Sequence, residues 1–222
     1  MRRWTSGRSI RGITLIELLL VIAIIVILFA VLFPVDINQR RGKRAIRAHC
    51  MSNLRQIGIG EVMWYSDHSN QFPWQISAAN GGTLEASARG QVAPNFQALR
   101  EYVKDPGVFW CPADTARHAA TSYAAFAATN VSYFIHFDSG TNAARSALLG
   151  DRNLLCDGKP VSPGFLSLTM ASKLGWTREL HGDAPAPGGH LLFADAHVEW
   201  NKQDPSSALL RPDTATNRVA IP

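Results

Sequence analysis

Histidine and aspartate side chains concentrate in one stretch near the C-terminus. Imidazole nitrogens and carboxylate oxygens commonly bind transition metals. The five candidate ligands are His181, Asp183, His190, Asp195 and His197. Their spacing matches no two-ligand metal motif, so we predict no metal site here. The chain also has no Gly-x-Ser-x-Gly, His-Glu-x-x-His or phosphate-binding glycine loop, so we predict that it is not an enzyme.

The chain has three cysteines, so at least one is unpaired in a monomer. Cys50 lies on a predicted helix and Cys111 lies beside Trp110, which makes these two the best candidates for a disulfide. Such a bond would close a loop of about 60 residues. The alternative is that all three cysteines are small buried hydrophobic residues.

One carboxylate lies inside the longest apolar run of the chain. The run, Ile13 to Phe33, is apolar except for Thr14 and Glu17. A helix over this run is about 30 Å long, the thickness of a bilayer core, so we predict a transmembrane helix over residues 13–33. A cleaved secretory signal would be shorter and would have its small residue after the run. An ionisable group in such a helix is usually functional, and the alternative is that Glu17 reaches the interface from the first turn.

A basic leader, Gly12, the segment Ile13–Glu17 and the apolar run that follows resemble the signature of type IV prepilins and type II secretion pseudopilins. The resemblance implies that prepilin peptidase cuts after Gly12 and that the new N-terminus, Ile13, is methylated. It implies that Glu17 pairs with the terminal amine of a neighbouring subunit during assembly. Pro34 is expected to kink the helix, because proline removes a helical hydrogen bond. The leader is expected in the cytoplasm, which makes this a single-pass protein of the inner membrane with an extracytoplasmic head.

Five further segments resemble the prepilin-type proteins with a C-terminal H-X9-DG motif, a planctomycete-like group. They are 50–58, 65–67, 72–73, 110–114 and 189–198. The motif is degraded here, since thirteen residues separate His181 from Asp195 and Ala196 replaces the glycine. No cofactor is predicted. Calcium binding is suggested only by analogy, because related secretion pseudopilins use calcium to order their C-terminal loops.

These patterns predict an α+β, pilin-like fold, in which a long N-terminal transmembrane and stem helix packs on a small, mostly antiparallel β-sheet head. The stem is predicted from one apolar face that includes Ile46, Cys50, Leu54 and Ile57. Strands are expected over 132–137 and 147–150, and a hairpin over 190–200 that turns at Asp195-Ala196. The predicted segments are a leader (1–12), transmembrane helix (13–33), stem helix (34–66), head (67–202) and a polar, loosely packed tail (203–222).

The charge distribution argues against a nucleic-acid partner. The net charge is +5, but the basic excess flanks the apolar run, and 13 basic and 15 acidic residues follow from Ala48 onward. The predicted function is a structural subunit of a type IV pilus-like or type II secretion pseudopilus filament, exported as a prepilin. Its expected partners are prepilin peptidase, other pilin or pseudopilin subunits, secretion platform proteins and the membrane. The alternative is a membrane-tethered extracytoplasmic binding module or hydrolase that uses the prepilin export route.

Overall fold

The computed structural model describes residues 14–32, 37–139, 146–181 and 186–222. The chain divides into two compact units, Met1–Gly42 and Lys43–Pro222. Gly12, Ile13, Pro34 and Asp183, which the sequence analysis singled out, lie outside the described residues.

Two helices precede the sheets. Helix α1 spans Leu15–Leu32, and helix α2 spans Ile37–Asp67. Helix α1 is almost entirely apolar, with Glu17 in its first turn. Helix α2 is amphipathic: Cys50, Leu54 and Ile57 are fully buried along one face, whereas Ile46 is 38% exposed.

The prediction of a transmembrane stem helix was wrong. Within the described part of the chain, no helix combines the length and the apolar character that a membrane crossing requires. The apolar helix α1 has 18 residues and a length of about 27 Å, somewhat less than a bilayer core of about 30 Å. The longer helix α2 has 31 residues but carries six Arg or Lys side chains. The predictions of a fold built on a transmembrane stem and of a single-pass protein of the inner membrane are therefore both wrong, and the described chain is instead built on a six-stranded and a three-stranded antiparallel sheet.

Short helical turns connect α2 to the sheets and complete the core. Helix α3 spans Leu84–Ser87, α4 spans Ala93–Ala98 and α5 spans Ser206–Leu209. Helix α4 continues into a 3₁₀ turn, Leu99–Glu101, and the amphipathic pattern predicted for this region buries Phe96 and Leu99. The other 3₁₀ turns are Pro73–Gln75, Ala78–Asn80, Pro106–Phe109, Tyr123–Ala125 and Ala128–Asn130.

Nine strands form two antiparallel sheets in the described residues. They are β1 (Tyr133–His136), β2 (Ala147–Asp151), β3 (Leu154–Cys156), β4 (Lys159–Pro160), β5 (Gly164–Leu168), β6 (Leu174–Trp176), β7 (Gly189–Phe193), β8 (Val198–Asn201) and β9 (Asn217–Ile221). The larger sheet has the order β5-β9-β1-β2-β7-β8, and the smaller has the order β4-β3-β6. All the paired strands in both sheets are antiparallel.

The central strands β1, β2 and β7 of the six-stranded sheet are buried along their whole length, which explains why their residues are mostly apolar. Tyr133, Ile135 and Leu192 belong to the core shared with α2, whereas Phe134 and Leu191 belong to the core on the other face. Helix α2 approaches the sheet closely. A Cβ atom on Gly58 would lie 2.6 Å from Leu192 Cδ1 and 3.1 Å from Ala196 Cβ.

The C-terminal segment takes part in the larger sheet. The sequence analysis predicted a polar, loosely packed tail over 203–222. The structure instead pairs β9 with β5 on one side and with β1 on the other. Val219, Ala220 and Ile221 are at most 2% exposed, so this strand is part of the core.

Candidate functional site

Helix α1 exposes an apolar surface. Its large hydrophobic side chains from Leu15 to Phe29 are between 46% and 78% exposed. The described side chains of residues 14–29 are all in the exposed class. An exposed apolar surface of this extent is unfavourable in water, and such surfaces are typical of interaction sites.

Glu17 forms a capping box with Thr14 at the start of α1. Glu17 Oε2 accepts hydrogen bonds from the Thr14 backbone N (2.9 Å) and from the Thr14 hydroxyl (2.8 Å). The Glu17 backbone N in turn donates to Thr14 Oγ1 at 3.4 Å. These hydrogen bonds lower the pKa of Glu17, so its carboxylate is ionised at neutral pH. The sequence alone could have predicted this contact, because Thr-x-x-Glu is the capping-box pattern.

Cys50 and Cys111 are joined by a disulfide with an S–S distance of 2.06 Å. The bond links helix α2 to the segment before β1 and brings Cys111 Sγ to 3.8 Å from His181 Nε2. Cys156, on β3, is a free cysteine. The thiols of Cys50 and Cys111 are consumed by the bond, so they are not metal ligands in this oxidised form.

Of the five candidate metal ligands, the structure brings His181 and His190 together, around a carboxylate that the sequence analysis did not select. Asp151 Oδ2 lies 3.1 Å from His181 Nε2 and 2.9 Å from His190 Nδ1. It also accepts a hydrogen bond from the His190 backbone N at 2.7 Å. The side chains of Asp151, His181 and His190 are 0%, 1% and 3% exposed. The pattern that could have identified Asp151 as a site residue is a carboxylate at the end of an apolar strand.

Opposing effects set the pKa of Asp151. Burial raises the pKa, because a charge is costly away from water, but the charges and hydrogen bonds of His190 and His181 outweigh this effect. The net result is a pKa well below the ordinary range, so Asp151 is ionised. The next residue, Arg152, is bound elsewhere: its guanidinium contacts Asp114 at 2.6 Å and Glu179 at 2.5 Å.

Trp200 packs against this cluster. Its ring lies edge-on to the rings of His181 and His190, with centroid distances of 5.4 Å and 4.9 Å. The Arg47 guanidinium lies 5.5 Å from the Trp200 ring centroid, in a cation–π contact. A cavity of about 190 Å³ opens beside His181 and is lined by Lys43 and Arg47 among others.

Asp195 and His197 lie apart from this cluster in the β7–β8 turn. His197 Nδ1 contacts Asp195 Oδ1, and His197 Nε2 lies 3.5 Å from Glu199. The side chains of Asp195 and His197 are 70% and 38% exposed. This exposed pair orders the hairpin turn, since the His197 backbone N also donates to Asp195 at 3.1 Å.

Comparisons with known proteins identify no relative of this chain. No family model matches it. No curated protein and no solved structure matches it either. The function is therefore argued from two features of the chain itself: the apolar helix α1 with Glu17, and the buried cluster of Asp151, His181 and His190.

Proposed function

We propose that this protein is a structural subunit of a filament that resembles type IV pili or secretion pseudopili, assembled through α1. The supporting observation is the apolar surface of α1, which is exposed along residues 14–29. In this proposal, α1 packs against α1 of other copies of the same chain. Prepilin peptidase removes the leader after Gly12, and secretion platform proteins assemble the processed subunits.

The energy available for this assembly is large. Thirteen large hydrophobic side chains on α1 are at least 46% exposed. Full burial of one such side chain contributes about 1.5–3 kcal/mol, so covering the exposed part of this surface contributes on the order of 10 kcal/mol. A single partner helix buries only one stripe of the α1 surface. A helix that is apolar on all sides must be buried on all sides. Several copies around each α1 satisfy that need, which favours a multi-subunit filament over a dimer.

Glu17 supplies the specificity of this packing. An ionised carboxylate that enters an apolar helix bundle needs a positive partner, because an unpaired buried charge is costly. The terminal amine of Ile13 on a neighbouring processed subunit is such a partner. The pairing would define the axial register of adjacent helices, while the capping contacts with Thr14 hold the carboxylate at the helix start.

The disulfide agrees with this function. Disulfides persist in oxidising environments and are rare where thiols are kept reduced. The Cys50–Cys111 bond therefore fits a subunit that functions outside the reducing cytosol.

Cysteine cross-linking tests the assembly. In a Cys156→Ser background, the double variant Leu18→Cys and Leu20→Cys places thiols on two sides of α1. Co-expressed with an assembly system and then oxidised, it is expected to form a ladder of trimers and larger species. Lys159→Cys, an exposed position on β4, is the control and should give no ladder. A double variant that stays monomeric would refute assembly through α1.

Two variants then separate pairing by Glu17 from capping. Glu17→Val removes the carboxylate, whereas Thr14→Ala removes the capping hydroxyl and keeps the carboxylate. We expect Glu17→Val to abolish the ladder at unchanged protein level and Thr14→Ala to retain most of it. An equal loss in both variants would show that Glu17 acts only as a helix cap. Mass spectrometry of the wild-type protein should also find an N-methylated chain that begins at Ile13.

A further inference from the structure

We propose that Asp151, His181 and His190 form a binding site for one divalent transition-metal ion of the zinc class. The site lies wholly in the unit Lys43–Pro222 and does not depend on the filament function. Asp151 is on β2, His190 is on the neighbouring strand β7, and His181 precedes the segment that leads to β7. Sheet pairing therefore brings together ligands that lie far apart in the sequence.

The cluster is enclosed and consists of side chains that commonly bind metals. The Asp151 side chain is fully buried, and a buried polar group needs partners. Its side-chain partners among the described residues are the two imidazoles of His181 and His190. The guanidinium of the next residue, Arg152, is directed at Asp114 and Glu179 instead.

The carboxylate has coordinating capacity that its hydrogen bonds leave unused. Asp151 Oδ2 receives the two imidazole contacts and the His190 backbone N. Asp151 Oδ1 is buried and has no hydrogen-bond partner among the described residues. Buried polar atoms are nearly always satisfied, so an orphaned oxygen in a cluster of ligand-type side chains indicates a missing partner. A bound cation would be such a partner.

The separations suit a small ion. One ligand atom from each of the three residues lies within 4.8 Å of the other two. Around a tetrahedral zinc, ligands at about 2.0–2.2 Å from the metal are separated by about 3.3 Å. The two observed N–O distances, 3.1 Å and 2.9 Å, are close to this value.

The donor set selects the class of metal. Two imidazoles and one carboxylate suit zinc, cobalt or iron, whereas calcium and magnesium prefer sites built from oxygen alone. The calcium expected by analogy with secretion pseudopilins is therefore not the ion that this cluster favours. The neighbouring group of Cys50, Cys111 and His181 shares one histidine with it, but the two sulfurs are in a disulfide.

The experiment loads metal during folding, because the three side chains are at most 3% exposed. The full chain is unfolded without reductant and refolded with excess ZnCl₂ or with EDTA, and the bound metal is counted by native mass spectrometry. We expect one zinc per chain after refolding with zinc. Refolding with Co²⁺ should produce visible d–d absorption without a thiolate-to-cobalt band. Wild-type protein that retains no zinc would overturn the proposal.

Variants identify the ligands. His190→Gln and Asp151→Asn should each lower Co²⁺ affinity by more than about 100-fold, since loss of an outer-shell partner alone costs 10–100-fold. The matched control is the exposed pair in the hairpin turn, where Asp195→Asn and His197→Gln should leave one metal per chain. Loss of the metal in the control pair, or a thiolate band in the cobalt form, would place the ion elsewhere and overturn the proposal. If His190→Gln and Asp151→Asn fail to refold, the metal content of the two control variants and the cobalt spectrum of the wild type still test whether the ion binds at this cluster.

Discussion

At the scale of single residues, Glu61 is the least favourable buried group in helix α2. Its side chain is fully buried, and both carboxylate oxygens lack a hydrogen-bond partner among the described residues. Burial raises the pKa of Glu61 from its ordinary value of 4.5 to about 8. The carboxyl group is therefore protonated in the folded protein at neutral pH, since the neutral acid is less costly to bury than the carboxylate.

This raised pKa predicts a decline of stability with pH. Below pH 4.5 Glu61 is protonated in both the folded and the unfolded chain, so it adds no pH dependence. Between pH 4.5 and about 8 the unfolded chain has lost the proton that the folded chain keeps, so the free energy of unfolding falls as pH rises. The slope is about 1 kcal/mol per pH unit, and it disappears above the folded pKa.

The measurement compares wild type with Glu61→Gln by urea unfolding at pH 5 and pH 7.5. From pH 5 to pH 7.5 the free energy of unfolding of wild type should fall by on the order of 3 kcal/mol more than that of the variant. Taking the difference removes the contribution of groups common to both proteins, such as the histidines. Glu199→Gln, at a side chain that is 65% exposed, is the control and should behave like wild type. Equal pH profiles for wild type and Glu61→Gln would show that Glu61 is ionised and solvated in the folded state.

At the scale of an element, the β7–β8 hairpin closes through a three-residue loop. The Phe193 backbone N donates to the His197 carbonyl at 3.0 Å, and the Ala196 backbone N donates to the Phe193 carbonyl at 3.0 Å. Ala196 has a φ of 62°, in the left-handed region that favours glycine. The chain therefore has an alanine at a turn position whose backbone conformation favours glycine.

Ala196→Gly is expected to raise the free energy of unfolding by about 1 kcal/mol. The left-handed conformation costs an alanine roughly 1–2 kcal/mol, and the greater flexibility of glycine in the unfolded chain offsets part of the gain. Ala194→Gly is the matched control, because Ala194 is not among the described residues with positive φ, and it should destabilise by roughly 0.5–1 kcal/mol. Thermal or urea unfolding measures both, and a loss of stability in Ala196→Gly would contradict the assigned turn.

At the scale of the whole molecule, the surface that we propose for assembly and the two hydrophobic cores belong to different units of the chain. The unit Lys43–Pro222 contains the disulfide, both sheets and the buried cluster. The apolar surface of α1 lies in the unit Met1–Gly42. Assembly and folding should therefore be separable by truncation.

A chain that begins at Lys43 is expected to fold and to remain monomeric. It keeps the described sheets and their two cores, and it lacks the thirteen exposed hydrophobic side chains of α1. Size-exclusion chromatography should give a monomer, with a cooperative unfolding transition and one disulfide, whereas the full chain should associate. Association of the truncated chain to the same size as the full chain would place the assembly surface on the second unit.

Local patterns in the sequence account for part of this structure. The apolar stripe of α2 predicted the burial of Cys50, Leu54 and Ile57, and alternation with turn residues predicted a hairpin over 190–200. The sequence made Cys50 and Cys111 the best candidates for a disulfide and left three buried thiols as the alternative, and the structure contains the bond. The signals for the helix face and for the hairpin are each contained in a short stretch of sequence. The membrane span inferred from the apolar run was wrong, since no described helix is both long and apolar enough for a membrane crossing.

Other features were decided only by the tertiary structure. Asp151 meets His190 across 39 residues of sequence, because antiparallel pairing of β2 with β7 brings their ends together. The C-terminal segment reads as a polar tail, yet it becomes β9 in the middle of a sheet because β5 and β1 supply its hydrogen-bond partners. Sequence periodicity determines which face of an element is buried. Strand order, and therefore the identity of the residues that meet, depends on long-range pairing that no local pattern encodes.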